Sequence, residues 1–183
     1  MTTTTTTTTS PHATTASTTR TPTAPAHELD DLLALDATQL EALYRSARVP
    51  RIQDVTGALR GRMLAIPMLP NRLVAPIRAF ASSRRFPWRG KTFRPQHEHK
   101  GEGINRVVSE AFELYRFETF VGRSRAGDFD AVQLDYDLPA NPFFIRAIKD
   151  EIREIGPGLW LGQAYAQIKG KAHLVLYFAL SNR

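Results

Sequence analysis

The chain contains no cysteine, which excludes both a disulfide framework and a thiolate metal site, so the fold must hold itself together by packing alone. It also lacks any apolar run near the ~20 residues that a membrane helix requires. The best candidate, residues 63–80, is interrupted by Pro67, Pro70, Arg72, Pro76 and Arg78. The first 27 residues hold one arginine and no acid, and they have no apolar core of a secretory signal. This Thr-, Ser- and Pro-rich stretch has too little apolar area to repay its ordering entropy, and is expected to be a disordered tail on a cytoplasmic protein. Residues 28–183 then make one domain, long enough for a real core. No catalytic signature settles what the protein does, and no cofactor is expected.

What is present is strongest near the C-terminus. Residues 159–167 (LWLGQAYAQ) and 172–180 (AHLVLYFAL) are apolar-rich runs around Ile168-Lys169-Gly170-Lys171, the signature of a β-hairpin. A three-residue loop pairs Gly162 with Phe178, Ala164 with Leu176 and Ala166 with Leu174, small against large each time. Gln163, Tyr165, Gln167, His173, Val175 and Tyr177 then form a mixed aromatic and amide face suited to a ligand cavity. A two-residue loop would instead group Ala164 and Ala166 with His173, Val175 and Tyr177. The first register is preferred.

Earlier in the chain, Asp36 and Gln39 form a capping-box pattern ahead of Leu40, Leu43, Tyr44 and Ala47, predicting a helix over 37–47. Residues 55–65 alternate as a strand whose glycines allow tight bending. Asn71 caps an apolar stripe of Leu73, Val74, Ile77, Phe80 and Ala81, flanked by Arg72, Arg78, Arg84 and Arg85, which reads as a basic amphipathic helix. Strands follow at 86–93, 104–108 and 112–121, with a polar loop (QHEHKGEG) between the first two. His97 and His99 in that loop share one side of an extended segment, yet without further ligands they read as a solvated turn and no metal is assigned. Arg116 and Glu118 are neighbours on one strand face, either a pocket floor or an outward surface pair, with outward preferred. Residues 128–138 place Val132, Leu134, Tyr136 and Leu138 on one face and Ala131, Gln133, Asp135 and Asp137 on the other. Asn141-Pro142 is read as the start of a helix reaching about Ile155, with a ridge of Phe144, Ile145, Ile148, Ile152 and Ile155.

The fold class is therefore mainly β with some α: an antiparallel, curved sheet or half-barrel of six or more strands with two or three amphipathic helices. Three pieces, PWRGKTF at 87–93, LDYDLP with NPFFIRAIKDEI at 134–152, and LWLGQAY at 159–165, together resemble the GXWXG-type proteins, similar in turn to lipocalin-like (calycin) barrels. The resemblance spans 55–180 in layout. It implies a barrel that holds a small apolar molecule, and it brings no functional residue to a position in this chain.

Three functions are consistent with these readings. The first is binding of a small hydrophobic or amphipathic molecule, including an anionic one, by Trp88, Arg116, Gln163, Tyr165 and Tyr177. The second is an isomerase, cyclase or hydro-lyase of secondary metabolism using the same cavity, with His173, Tyr177, Tyr165, Glu118 and Asp135 as candidate acids and bases. The third uses charge. Residues 44–106 hold fourteen Arg or Lys against three acids within a net charge of +6, so Arg72, Arg78, Arg84, Arg85, Arg89, Lys91 and Arg94 could meet an anionic membrane surface or nucleic acid. Nucleic acid ranks last as a partner because no recognition motif accompanies the charge.

Overall fold

The structure, a computed structural model, describes residues 1–2, 28–67, 87–109 and 111–183. Eight strands, β1 (Gly57–Ala65), β2 (Trp88–His97), β3 (Lys100–Val107), β4 (Glu113–Arg123), β5 (Asp130–Asp135), β6 (Ile148–Gly156), β7 (Leu159–Ile168) and β8 (Lys171–Ser181), close into an antiparallel barrel. Each pairs with the next in sequence, and β8 returns to β1. The expected curved sheet goes beyond a half-barrel to full closure, which removes the exposed edges that an open sheet must protect. Among the described residues, no helix is long and apolar enough to cross a membrane.

An α-helix of ten residues packs against the outside of the barrel. α1 (Ala37–Ser46) is started by Asp36, whose carboxylate accepts from Gln39 N at 2.8 Å while the Gln39 amide oxygen accepts from Asp36 N at 2.9 Å. This is the capping box that the sequence predicts. Leu29, Leu32, Leu40 and Tyr44 pack from this N-terminal segment onto Leu161, Tyr177 and Ala179 of β7 and β8. Arg48 extends the attachment, pairing its backbone with Glu154 in a two-residue bridge and its guanidinium with the Glu154 carboxylate. The basic amphipathic helix expected around 71–81 lies outside the described residues, as do Arg72, Arg78, Arg84 and Arg85 and positions 3–27 of the expected tail.

The helix expected from Pro142 to Ile155 is a correction. Helical turns end at Arg146, after Phe143–Arg146, and residues 148–156 form β6. The 3.6-residue spacing of isoleucines misleads because both faces of β6 are buried. Ile152 and Asp150 point into the barrel, while Glu151 and Arg153 are enclosed beneath α1 and the 124–129 loop. Charged residues on a doubly covered strand erase the alternation that would mark it. The polar loop expected at 96–103 is also tighter, since β2 runs through His97 and a turn at 98–99 leads straight into β3.

The closing hairpin combines both registers. At its tip Lys169 and Gly170 form a two-residue turn with φ of +50° and +75°, and Ala166 faces His173. A bulge at Val175 then shifts the pairing by one, so that Ala164 faces Leu176 and Gly162 faces Phe178, as preferred. The small–large face is the inner one. A Cβ on Gly162 would sit 2.2 Å from the Phe178 ring, so the bare backbone there is what lets the ring lie flat against the wall. Gly162→Ala is expected to lower stability by ~1–3 kcal/mol through overpacking, measured by thermal unfolding and recovered in part by adding Phe178→Leu. An unchanged melting temperature would contradict this packing.

Candidate functional site: a cavity with a buried lysine–aspartate floor

The barrel core is solid at one end and hollow at the other. Phe93, Phe117, Val132, Ile152, Trp160 and Leu180 fill the closed part, with Phe93 and Phe117 edge to face at 5.3 Å. Toward the end where β1 finishes and β2 begins, a cavity of about 310 Å³ opens. Its walls are apolar, from Met63, Val107, Ile145, Ile148, Val175 and Leu176, with Trp88, Tyr115 and Phe178 as the aromatic part.

Strand irregularities aim several of these side chains. Trp88 and Lys91 are three apart and would face opposite sides of a regular strand, but the register slips between Trp88 and Gly90, and both line the cavity. Between β3 and β4 the register slips again at Tyr115, whose φ of +60° breaks the alternation at a residue that lines the cavity. The Val175 bulge does the same on β8. Bulges of this kind re-aim side chains at sites and rims.

The floor is polar. Lys91, 2 % exposed, places Nζ 2.8 Å from Asn105 Oδ1, 2.5 Å from Tyr136 Oη and 3.0 Å from Asp150 Oδ2. Tyr136 donates to Asp150 Oδ2 at 3.0 Å, and Trp88 Nε1 donates to Asn105 Oδ1 at 3.1 Å. The rings of Trp88, Phe117, Tyr136 and Phe178 surround the ammonium at 5.2–5.5 Å, an arrangement in which ring quadrupoles favour a cation. Burial pushes the Lys91 pKa down, opposed by Asp150. Burial first, and then the Asp150 charge, hold the Tyr136 hydroxyl well above its ordinary value. A buried charge is tolerable only when paired and hydrogen-bonded in this way.

Of the residues singled out by sequence, Trp88 lines this cavity. Gln163, Tyr165 and Tyr177 do not: they lie on the outer face of β7 and β8, where they form the polar bed of α1. Tyr177 Oη donates to Glu41 at 2.7 Å, Gln163 Nε2 donates to the same carboxylate at 2.6 Å, and Tyr165 Oη donates to Gln163 Oε1 at 2.6 Å. Beside them, the fully buried Glu151 carboxylate accepts from Tyr44 Oη, Ser124 Oγ and Arg125 N at 2.6–3.0 Å. The faces are reversed relative to expectation because glycine and alanine are needed inside, under Phe178, which sends the amides and phenols out. Arg116 is exposed, Glu118 pairs with Lys100 at 3.0 Å, Asp135 pairs with Lys149, and His173 is exposed near the hairpin tip. None of these four lines the cavity. His97 and His99 are exposed in the β2–β3 turn, and no group of three or more His, Cys, Asp or Glu able to hold a metal occurs among the described residues.

Sequence reasoning missed Lys91, Asn105 and Asp150 as site residues. Alternation offers a signal for two of them: Lys91 is two residues from the inward Phe93, and Asp150 lies between Ile148 and Ile152. Tyr136 was already on the inward face with Val132 and Leu134.

Fold and site together define a small, closed, eight-stranded antiparallel barrel with an internal cavity toward one end. A crystal structure of a protein from Thermomonospora curvata is similar, with 18% sequence identity and a TM-score of 0.50 over 81% of this chain and 88% of that one. A likeness at this identity concerns the fold alone. No protein-family model matches the chain, and no curated protein matches it.

Proposed function

We propose that the protein binds a small, mostly apolar molecule in the barrel cavity, with one polar group of the ligand reaching the Lys91–Asp150 floor. The observation that carries this reading is the hollow itself: in a core otherwise packed solid, about 310 Å³ is left open among apolar walls, above a buried polar cluster. That volume is at the lower end of the roughly 300–1,000 Å³ typical of small-molecule sites, which favours a compact ligand over a long acyl chain. The lipocalin-like assignment belongs to this same proposal, as does cytoplasmic location.

Catalysis is the second reading, and one observation favours it. Lys91, Tyr136 and Asp150 are three titratable groups within hydrogen-bond reach of one another at the base of one pocket, the arrangement expected of an acid–base site. One experiment separates the two. Protein purified from cells is analysed by native mass spectrometry, and then titrated with a neutral fluorescent apolar probe. Uptake is expected, and Val175→Trp, which fills the cavity, is expected to weaken it at least tenfold with the fold retained. Probe or natural ligand recovered chemically unchanged supports binding alone, whereas recovery of an altered molecule supports catalysis. An empty protein that takes up no probe overturns both.

A further inference from the structure

The hydrogen-bonding capacity of the cavity floor is almost, but not quite, used up by its own residues. Lys91 has three N–H donors, and they are directed at Asn105 Oδ1, Tyr136 Oη and Asp150 Oδ2. Asn105 Nδ2 gives its two to Tyr115 O at 3.2 Å and Tyr136 Oη at 3.1 Å. The Trp88 N–H goes to Asn105 Oδ1 and the Tyr136 O–H to Asp150 Oδ2. Every donor at the floor is thus engaged. One acceptor is not: Asp150 Oδ1 is buried with no hydrogen-bond partner, on a residue 5% exposed that lines the cavity. A buried carboxylate oxygen left in this state is costly, and no described residue donates to it.

We propose that the ligand's polar group is a neutral hydrogen-bond donor, a hydroxyl, which donates to Asp150 Oδ1. This rests on the cavity being a binding site and specifies what that site accepts. A carboxylate or phosphate would find no free donor on Lys91 and would bring its charge against Asp150. An ammonium group would meet Lys91, whose own charge already compensates Asp150 at 3.0 Å. A hydroxyl adds no charge to a balanced pair and supplies the one bond that is missing. The basic character of the chain therefore does not extend to the ligand, which is an alcohol with an apolar body.

Four compounds with one ring system test this on the unmodified protein: 2-naphthylmethanol, its methyl ether, 2-methylnaphthalene and 2-naphthoate, each followed by its own fluorescence. The alcohol is expected to bind at least tenfold more tightly than the other three. Asp150→Asn is expected to reduce that advantage to below threefold. Equal binding of the alcohol and its ether, or tighter binding of the naphthoate, overturns the donor assignment and leaves the pocket as a binding site. If none of the four binds, the binding reading falls and this inference with it. The ether comparison needs no variant, so it decides the matter even if Asp150→Asn fails to fold.

Discussion

Lys91→Met is expected to lower stability by about 3–5 kcal/mol, because it leaves the Asp150 carboxylate enclosed without its counter-charge. Both partners are nearly inaccessible to solvent, so water cannot replace the lost ammonium. The same reasoning predicts an asymmetry. In Lys91→Met combined with Asp150→Leu both charges are gone, and stability should return to within about 1 kcal/mol of the parent or exceed it, since apolar replacements of buried pairs are often neutral or better. Urea midpoints of the two variants measure this directly. A single variant within about 1 kcal/mol of the parent would show that the floor is wetter than its geometry says. If the double variant folds but loses the preference for an alcohol, the pair is retained for what it binds and not for stability.

The chain is also expected to unfold sharply above pH 10. Tyr44, Tyr136, Tyr165 and Tyr177 all have hydroxyls shifted upward, with burial the first cause in each. Next come the Glu151 charge for Tyr44 and Tyr165, the Asp150 charge for Tyr136, and the hydrogen bond to Glu41 for Tyr177. Folded, these residues keep their protons to higher pH than the unfolded chain, which loses them near 10. Below pH 10 the two states bind these protons equally. Above it the unfolded state binds fewer, so stability falls as pH rises, by about 1.4 kcal/mol per pH unit for each tyrosine. The two most deeply enclosed, Tyr44 and Tyr136, alone remove nearly 3 kcal/mol per unit by that slope. Lys91 works the other way, because its lowered pKa makes stability rise with pH, but that contribution is complete by about 10.4. Phenolate absorbance at 295 nm should appear together with loss of the β-sheet circular dichroism signal. Gradual ionisation of these tyrosines with the sheet intact would refute the prediction.

Much of the barrel is legible in the sequence where one face is wet. At the end of β5 and just beyond it, Leu134 and Tyr136 alternate with the partly exposed Asp135 and the exposed Asp137, and the inner face, with Val132, is the expected one, although Ala131 and Gln133 on the outer face are covered. The Asp36–Gln39 box starts α1 as read, and the pairing of Gly162 with Phe178 follows from size complementarity alone. Legibility fails where the wall is covered on both sides. β6 carries Asp150, Glu151, Arg153 and Glu154 in enclosed positions, and no periodic rule treats four charges within five residues as core. The floor of the site was hidden for the same reason: Asp150 belongs to a segment that looks helical, and Lys91 looks like surface until Phe93 fixes its face. The outer aromatic face of β7 and β8 reads in sequence as a cavity wall because a helix bed and a ligand bed have the same composition, phenols and amides over aliphatic carbon.

The neighbour-by-neighbour order of the strands has a kinetic consequence. Seven of the eight pairings join consecutive strands, so most of the sheet can zip up locally, hairpin by hairpin, at little loop entropy. The eighth, between β1 and β8, ties Arg60 to Ser181 and Met63 to Phe178 across most of the chain. That seam bears the one long-range closure penalty and should form last on refolding. Amides along it should then exchange with solvent sooner than those of the β7–β8 hairpin, and transient parting there would give a guest a way through the wall of the ring.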